Sequence, residues 1–506
     1  MSRINTNVQS LISQRVLTGN TSSLNTSLER LATGLKINRG KDDPAGLIAS
    51  ENLRSEIKAT NAALSNSERA DQVVNIAEGG LQEVSSLLTE LQGLVTGTAS
   101  KAGLSVAERS ANQLQVDSIL QTIDRIAGST SFQGIKLLNG NFDFKTSGAV
   151  SGISDLRINA AKYNSTSLDV NINVTESAQQ AGLFLSMGGT SIDLGGATSS
   201  FVIEIRGSLG ARELTFSSGT TLSSVAAAVN TFKDVTGVEA TASGSGLKLF
   251  STNYGSSEFV SVKVIDDGGI GTASNKGIYK LEDQDFTDAK AAVASTFANA
   301  NNGLRDDGQD VRATINGIQS TSDGRTARIN TDFLDVEFTF SISTSQTRGA
   351  VGGSGPALTI TGGGAEFQLA GRVDIAGKSS LGIQDIAARK LGNSSVGFLS
   401  SLSSGKTNNM IDGDLTNAQK AVGEAISQVS ALRGRLGAFQ KNTIGATIRA
   451  LNIAVENSSA AQSVIRDADF AAETASLTRS QILVSASTNV LGLSNNAPQS
   501  VLQLLG

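Results

Sequence analysis

The final 27 residues, 480–506, carry no charged side chain, yet apolar residues recur in them with a helical period. Leu483, Ala486, Val490 and Leu493 step by 3, 4 and 3, which sets them on one face of a helix. The opposite end mirrors this pattern: Ile4, Val8, Leu11 and Arg15 step by 4, 3 and 4, and Arg15 is the only charge between Ile4 and Leu28. Amphipathic helices with so little charge on the polar face suit a surface that becomes covered, in a polymer or by a partner. Ten large aliphatic side chains in 480–506 give about 2 kcal/mol each at full burial, which does not offset the conformational entropy of ordering the whole segment. The ends are expected to be disordered alone and to order only against partners.

The whole chain has 506 residues, enough for two to four domains. Aromatics make up only 4%, with three Pro and no Trp, which fits long helices joined along aliphatic seams. There is no His and no Cys. That removes the commonest general base, the Ser–His and Cys–His nucleophile pairs, disulfides, and metal sites built on imidazole or thiolate. No calcium-loop spacing and no phosphate-binding glycine loop occurs, so the chain reads as a non-enzyme without metal or cofactor. A net charge of −5 with no basic cluster gives no footprint for nucleic acid or an anionic membrane. The start, MSRINTNVQS, lacks the basic, apolar and small-residue regions of a secretory signal, and no run is apolar enough to span a membrane. The chain is expected to stay in the cytosol or to leave by a route without a cleaved signal.

Residues 1–140 read as consecutive helices. A Leu24, Leu28, Leu31, Leu35 seam predicts one that ends near Gly40. The turn-like Lys41-Asp42-Asp43 then leads to Pro44, suited to the first position of a second helix that runs past Val95. Val84, Leu87, Leu91 and Leu94 supply its near-heptad seam, and a third helix spans about 107–126 with Gly128 as its C-cap. From about 140 to 404 the texture changes to alternating runs broken by Gly, Ser, Thr and Asn. Phe201, Ile203 and Ile205 mark one strand, and Leu334, Val336, Phe338, Phe340 and Ile342 mark the clearest one. Strands at 238–242, 247–251 and 259–265 follow a helix at 222–232, so the middle is expected to be an α+β insert of one or two small domains. Helices resume at Leu415, with Val422, Ile426, Val429, Leu432, Leu436 and Phe439 in a seam that Ile448, Leu451 and Val455 continue.

Residues 28–47, LERLATGLKINRGKDDPAGL, and the end, NVLGLSNNAPQSVLQLLG, strongly resemble bacterial flagellin, the subunit of the flagellar filament. So do 123–137, IDRIAGSTSFQGIKL, and 432–442, LRGRLGAFQKN; the segment 207–265 resembles a small module found in the middle of some flagellins and hook proteins. The resemblance implies a mainly α fold with a β-rich insert, in which discontinuous N- and C-terminal helices form a coiled-coil rod and the middle forms α+β outer domains. It implies an inner helical assembly domain of 1–42 plus 462–506, and a rod domain of 43–145 plus 405–461 with a β-hairpin return near 360–400. The variable outer region is then 146–404. It also implies helical polymerisation into a hollow filament for swimming, and export of the unfolded chain by the flagellar type III machinery to the outside of the cell. The partners implied are the chain itself, a flagellin chaperone, the filament cap, the hook-junction proteins and the export apparatus. A hook–filament junction protein, sharing the helical ends, is the alternative. An adhesin whose β insert is the active part is a third reading.

Ile4, Val8, Leu11, Leu483, Val490, Leu493, Leu502 and Leu505 are the candidates for assembly contacts. Asp42, Asp43, Pro44, Ala45 and Gly46 fall where the resemblance places the link between inner and rod domains; the acidic pair favours the start of the next helix. The family's site for its vertebrate innate-immune receptor uses Arg, Leu and Glu; here the equivalent positions are Glu90, Leu94 and Gln115, and only Leu94 keeps the family residue. Where flagellins often read ARSRIEDSDY, this chain has AQSVIRDADF at 461–470. Gln462 and Val464 replace basic residues and Arg466 replaces an acid, so a compensated contact set is expected there.

Overall fold

Heptad spacing governs the long helices. The computed structural model describes residues 6–100, 103–163, 166–196, 199–270, 276–281, 295–353, 355–394 and 396–505. Helices α1 (Val8–Thr33), α2 (Pro44–Thr98) and α3 (Val106–Ser129) open the chain. The middle adds three short ones, α4 (Leu222–Thr231), α5 (Lys233–Thr236) and α6 (Ile342–Gln346), and α7 (Leu415–Ala438), α8 (Gly445–Arg466) and α9 (Phe470–Leu505) close the chain. In α2 the buried positions Thr60, Ala63, Ser67, Ala70, Val74, Ala77, Leu81, Val84, Leu88, Leu91, Val95 and Thr98 alternate steps of 3 and 4 without a break. Such a stripe keeps one face of a long helix against its neighbours.

The chain divides into two compact units. One comprises Met1–Gln72, Phe367–Lys378 and Ala438–Gly506; the other comprises Val73–Glu366 and Ser379–Gly437. In the second unit the helical core combines α2 with Val116, Leu120 and Ile123 of α3 and Val422, Val429, Leu432 and Leu436 of α7, all buried. Ser105 caps α3 in a capping box with Glu108.

The same unit holds two β-rich modules with separate cores. The first packs two four-stranded antiparallel sheets. One has the order Val238–Ser243, Gly246–Ser251, Gly182–Ser186, Gly277–Lys280, and the other Leu304–Asp307, Phe259–Asp266, Ser200–Gly207, Ala211–Ser217. Leu222, Val225 and Val229 of α4 enter this core, and Phe201 meets Phe297 edge-on with ring centroids 5.4 Å apart. The second module is built around Leu334–Phe340, where Leu334, Val336, Phe338 and Phe340 are buried and the residues between them face outward. It pairs with Ile153–Ala161 and Thr326–Asn330, and a second sheet pairs Ile172–Glu176 with Arg312–Ile315.

Several local expectations are corrected. The α1 helix stops at Thr33 because Gly34 adopts a left-handed φ of 71°, so it ends well before Gly40. The α3 helix runs through Gly128 to Ser129. The clearest strand ends at Phe340; Ile342 instead begins α6, capped by Ser341. In α2 the buried pair is Leu88 and Val95, one residue on from Leu87 and Leu94, which are half-buried. In α7 Ala425 takes the core position expected of Ile426.

Candidate assembly surface

Helices α1 and α9 pair antiparallel inside the first unit, and their seam alternates small polar residues with aliphatic ones. Ser10, Ser13 and Ser27 of α1 are buried, as are Ser480 and Ser487 of α9. Asn7 Nδ2 donates to the Ser494 carbonyl at 2.7 Å, Ser10 Oγ to Asn495 Oδ1 at 2.6 Å, and Asn20 Nδ2 to Ser487 Oγ at 2.7 Å. Arg30 and Glu473 form an ion pair at 3.8 Å at the other end of the pair. Along α1 the covered positions are Ser10, Ser13, Leu17, Asn20, Leu24, Ser27 and Leu31; along α9 they are Glu473, Leu477, Ser480, Val484, Ser487, Leu491 and Ser494. Both sets alternate steps of 3 and 4, so small hydroxyl side chains let the two backbones approach along a heptad seam.

A second set of large apolar side chains points the other way. Val8 is 53% exposed, Leu11 58%, Val490 51% and Leu493 72%, and Leu483, Ile482, Ile12 and Val16 are also exposed. The pair thus covers Ser and Asn beside Leu and Val in its seam and leaves a further set of apolar side chains outside, which marks an interaction surface. Leu28, expected in the α1 seam, lies on this outer side, and Ser27 replaces it in the seam. Ile4 lies outside the described residues. Leu502 and Leu505 belong to α9, but their side chains also lie outside the description.

The link from α1 to α2 is knotted by hydrogen bonds. Pro44 is the first residue of α2, and Asp43 Oδ1 accepts the Gly46 N–H at 2.9 Å as a helix cap. Asp42 Oδ2 accepts the N–H groups of Arg39 at 2.8 Å and Asn38 at 3.2 Å, and the Arg39 bond leads in holding its carboxyl below the ordinary range. Ile37 is buried; a Cβ at Gly46 would lie 2.7 Å from its Cδ1 and 2.5 Å from Asp43 Oδ2. Ala45 is exposed at the start of α2.

One partner of this link is invisible from local spacing: the turn between α8 and α9. Leu35 pairs with Asp467 in an isolated antiparallel bridge, Lys36 N–H donates to the Arg466 carbonyl at 2.7 Å, and Ala468 N–H donates to the Gly34 carbonyl at 2.9 Å. Arg466 also pairs with Glu51 at 3.1 Å, and Gln462 Nε2 donates to the Ser50 carbonyl at 3.3 Å. These are contacts of the altered 461–470 segment. Its sequence signal is Asp469, which caps α9 by accepting from Ala471 and Ala472.

In the second unit Glu90 and Gln115 are exposed and Leu94 is half-buried. Among the described residues, no group of three or more His, Cys, Asp or Glu side chains is placed to hold a metal ion, and no helix is long and apolar enough to cross a membrane.

Three family models match the chain. The bacterial flagellin N-terminal helical region covers residues 4–143, the bacterial flagellin C-terminal helical region 419–505, and the flagellin hook IN motif 192–253. The chain belongs to the bacterial flagellin family. A flagellin of Salmonella choleraesuis is 28% identical over 544 aligned residues, a B-type flagellin of Pseudomonas aeruginosa 29% over 538, and a flagellin of Escherichia coli 29% over 538. Each alignment covers 99% of both chains. Likeness to flagellins along the full length makes this chain a structural subunit of the extracellular flagellar filament; nothing in it favours the junction-protein alternative. The hook IN motif lies in the first β module and overlaps the segment 207–265 singled out above over residues 207–253.

Proposed function

We propose that this flagellin polymerises with copies of itself, helically and into a hollow tube, through the outward apolar faces of α1 and α9. One observation carries the reading: with its seam already closed by Ser, Asn, Leu and Val, the pair still leaves Val8, Leu11, Val490 and Leu493 exposed. Residues 1–42 plus 462–506 act as the inner assembly domain, 43–145 plus 405–461 as the rod, and 146–404 as the outer region. Asp42 to Gly46 fix the bend between the first two. The unfolded chain leaves the cell without a cleaved signal, through the flagellar export apparatus. It is handed on by a flagellin chaperone and added beneath the filament cap, beyond the hook-junction proteins. The receptor-equivalent positions Glu90, Leu94 and Gln115 give weak activation of the vertebrate receptor, because Glu90 reverses the charge of the family arginine.

Sedimentation and negative-stain microscopy test the central point. The full chain and a variant lacking 480–506 are each seeded with short filament fragments. Long tubes from the full chain alone are the expected result. Tubes from the truncated chain would remove the terminal helix from the mechanism, and no tubes from either would return the junction-protein role.

A further inference from the structure

The two β modules of the second unit are joined by two chain crossings, from Ile172–Glu176 to Gly182–Ser186 and from Leu304–Asp307 to Arg312–Ile315. The crossings hydrogen-bond to each other: Gln179 N–H donates to the Gln309 carbonyl at 2.8 Å, and Gln309 N–H to the Gln179 carbonyl at 3.0 Å. Both modules then reach into this joint. From the first comes the loop after Gly246–Ser251, whose Tyr254 packs against the second module's core and under the Arg325 guanidinium, 5.5 Å from the ring centroid. From the second comes the turn at Gly324.

Asp310, on the second crossing, binds both intruders. Its Oδ1 accepts the N–H of Ser256 at 2.9 Å and that of Gly324 at 2.8 Å, and its Oδ2 accepts the Ser256 hydroxyl at 2.5 Å. Around it the backbones touch without side chains between them. A Cβ on Gly255 would lie 2.7 Å from the Gly324 Cα, one on Gly324 would lie 2.7 Å from the Tyr254 carbonyl, and one on Gly308 would strike the Gly255 carbonyl. Glycine is the residue that permits such approach. A flexible tether between domains has few contacts and solvated backbone; this joint has neither property.

We propose that the two β modules form one rigid lever, latched by the Asp310 carboxylate over a glycine-packed crossing, so that a displacement of either module is passed to the other instead of being absorbed between them. The inference rests on geometry inside one unit and stands whether or not the ends polymerise as argued above. The charged residues on the elements around the latch are Glu258, Arg312, Asp323 and Arg325, with the Tyr254 phenol.

Two measurements on the full chain test it. The sequence has no Cys, so Thr241→Cys in the first module and Asn330→Cys in the second, both at exposed positions, take a pair of spin labels and nothing else is labelled. A single narrow distance distribution is expected, broadening when Asp310→Ala is added. A broad distribution before that change, or none after it, overturns the proposal. Hydrogen exchange supplies the second readout. Asp310→Ala should speed exchange roughly tenfold or more at Gln179 and Gln309, whose amides do not touch the carboxylate, as well as at Ser256 and Gly324. Faster exchange at Ser256 and Gly324 alone would reduce Asp310 to a local cap and overturn the latch. Retained protection in Phe201–Ile205 and Leu334–Phe340 reports that both modules are folded; if Asp310→Ala loses it, Ser256→Ala replaces it and must give the same pattern more weakly.

Discussion

At the scale of single residues, two glycines of the same helix separate packing from propensity. In α2, replacing Gly by Ala gains about 0.5–1 kcal/mol from the backbone alone. At Gly93 nothing lies within 4 Å of the new Cβ, so the gain stands. At Gly46 the methyl meets Ile37, itself 1% exposed, and the capping carboxylate of Asp43. Overpacking of that kind costs about 1–3 kcal/mol and outweighs the propensity term. Thermal unfolding of the monomer should rise for Gly93→Ala and fall for Gly46→Ala; equal shifts would mean that the link is loosely packed. Asp310 makes a second prediction at this scale. Burial alone would raise its carboxyl, but the Ser256 hydroxyl and the N–H groups of Ser256 and Gly324 together hold it below 3.8. A carboxylate lowered in the folded state adds stability that is complete above the ordinary value and is lost as pH falls through the lowered one. Asp310→Asn should therefore lower the urea midpoint at pH 7, and the gap from the parent should close on acidification below 3.8. A gap independent of pH would show that the charge plays no part.

At the scale of elements, the phase of the heptads decides what was legible. The lengths and order of α2, α3 and α7 follow from apolar spacing, as do the strands at Ser200–Gly207, Val238–Ser243 and Gly246–Ser251. The seam phase in α2 does not follow from Val84 to Leu94 alone, because Leu87-Leu88 and Leu94-Val95 offer two adjacent stripes. The small residues upstream, Ala63, Ala70 and Ala77, break the tie, since only Leu88 and Val95 continue their alternation. In α1 Leu24 and Leu31 of the expected seam were legible, but the Ser and Asn positions between them were not, because such residues look like solvent-facing surface in a sequence. The pairing of Leu35 with Asp467 joins distant segments and has no local signal. One irregularity is written in the sequence itself. The α7 seam ends at Leu436, and the next seam, from Ile444 through Ile448, Leu451 and Val455, resumes eight residues on where a heptad requires seven. The six residues Phe439–Ile444 wind as a π-helix and absorb the extra one. Deleting the exposed Asn442 should convert this turn to α-helix with both seams in phase, changing stability by no more than about 1 kcal/mol. Deleting the exposed Ser430 instead rotates Leu432 and Leu436 out of the core and should cost about 3 kcal/mol or more. Circular-dichroism melting of the two deletions compares them; similar losses would show that the π-turn is required for its own sake.

At the scale of the whole molecule, the two ends and the middle differ in where their large apolar side chains go. The middle buries Phe201, Phe338 and Phe340 fully in its own cores, as a self-sufficient module does. The α1–α9 pair covers only part of its aliphatic side chains and leaves Val8, Leu11, Val490 and Leu493 exposed. That asymmetry yields a prediction that distinguishes an assembly face from an accident of composition. Leu493 is 72% exposed, so Leu493→Asp costs the single chain little and its melting curve should not move. In a filament that covers this face, the change forfeits about 2 kcal/mol of apolar burial and adds the cost of desolvating a carboxylate. At about 1.4 kcal/mol per tenfold, the critical concentration for seeded growth should rise by roughly 30-fold at least. Thr488→Asp, exposed and polar to begin with, is the matched control for charge alone. A critical concentration raised equally by both substitutions would assign the effect to charge repulsion between subunits. One raised by neither would leave the apolar face of α9 uncovered in the filament.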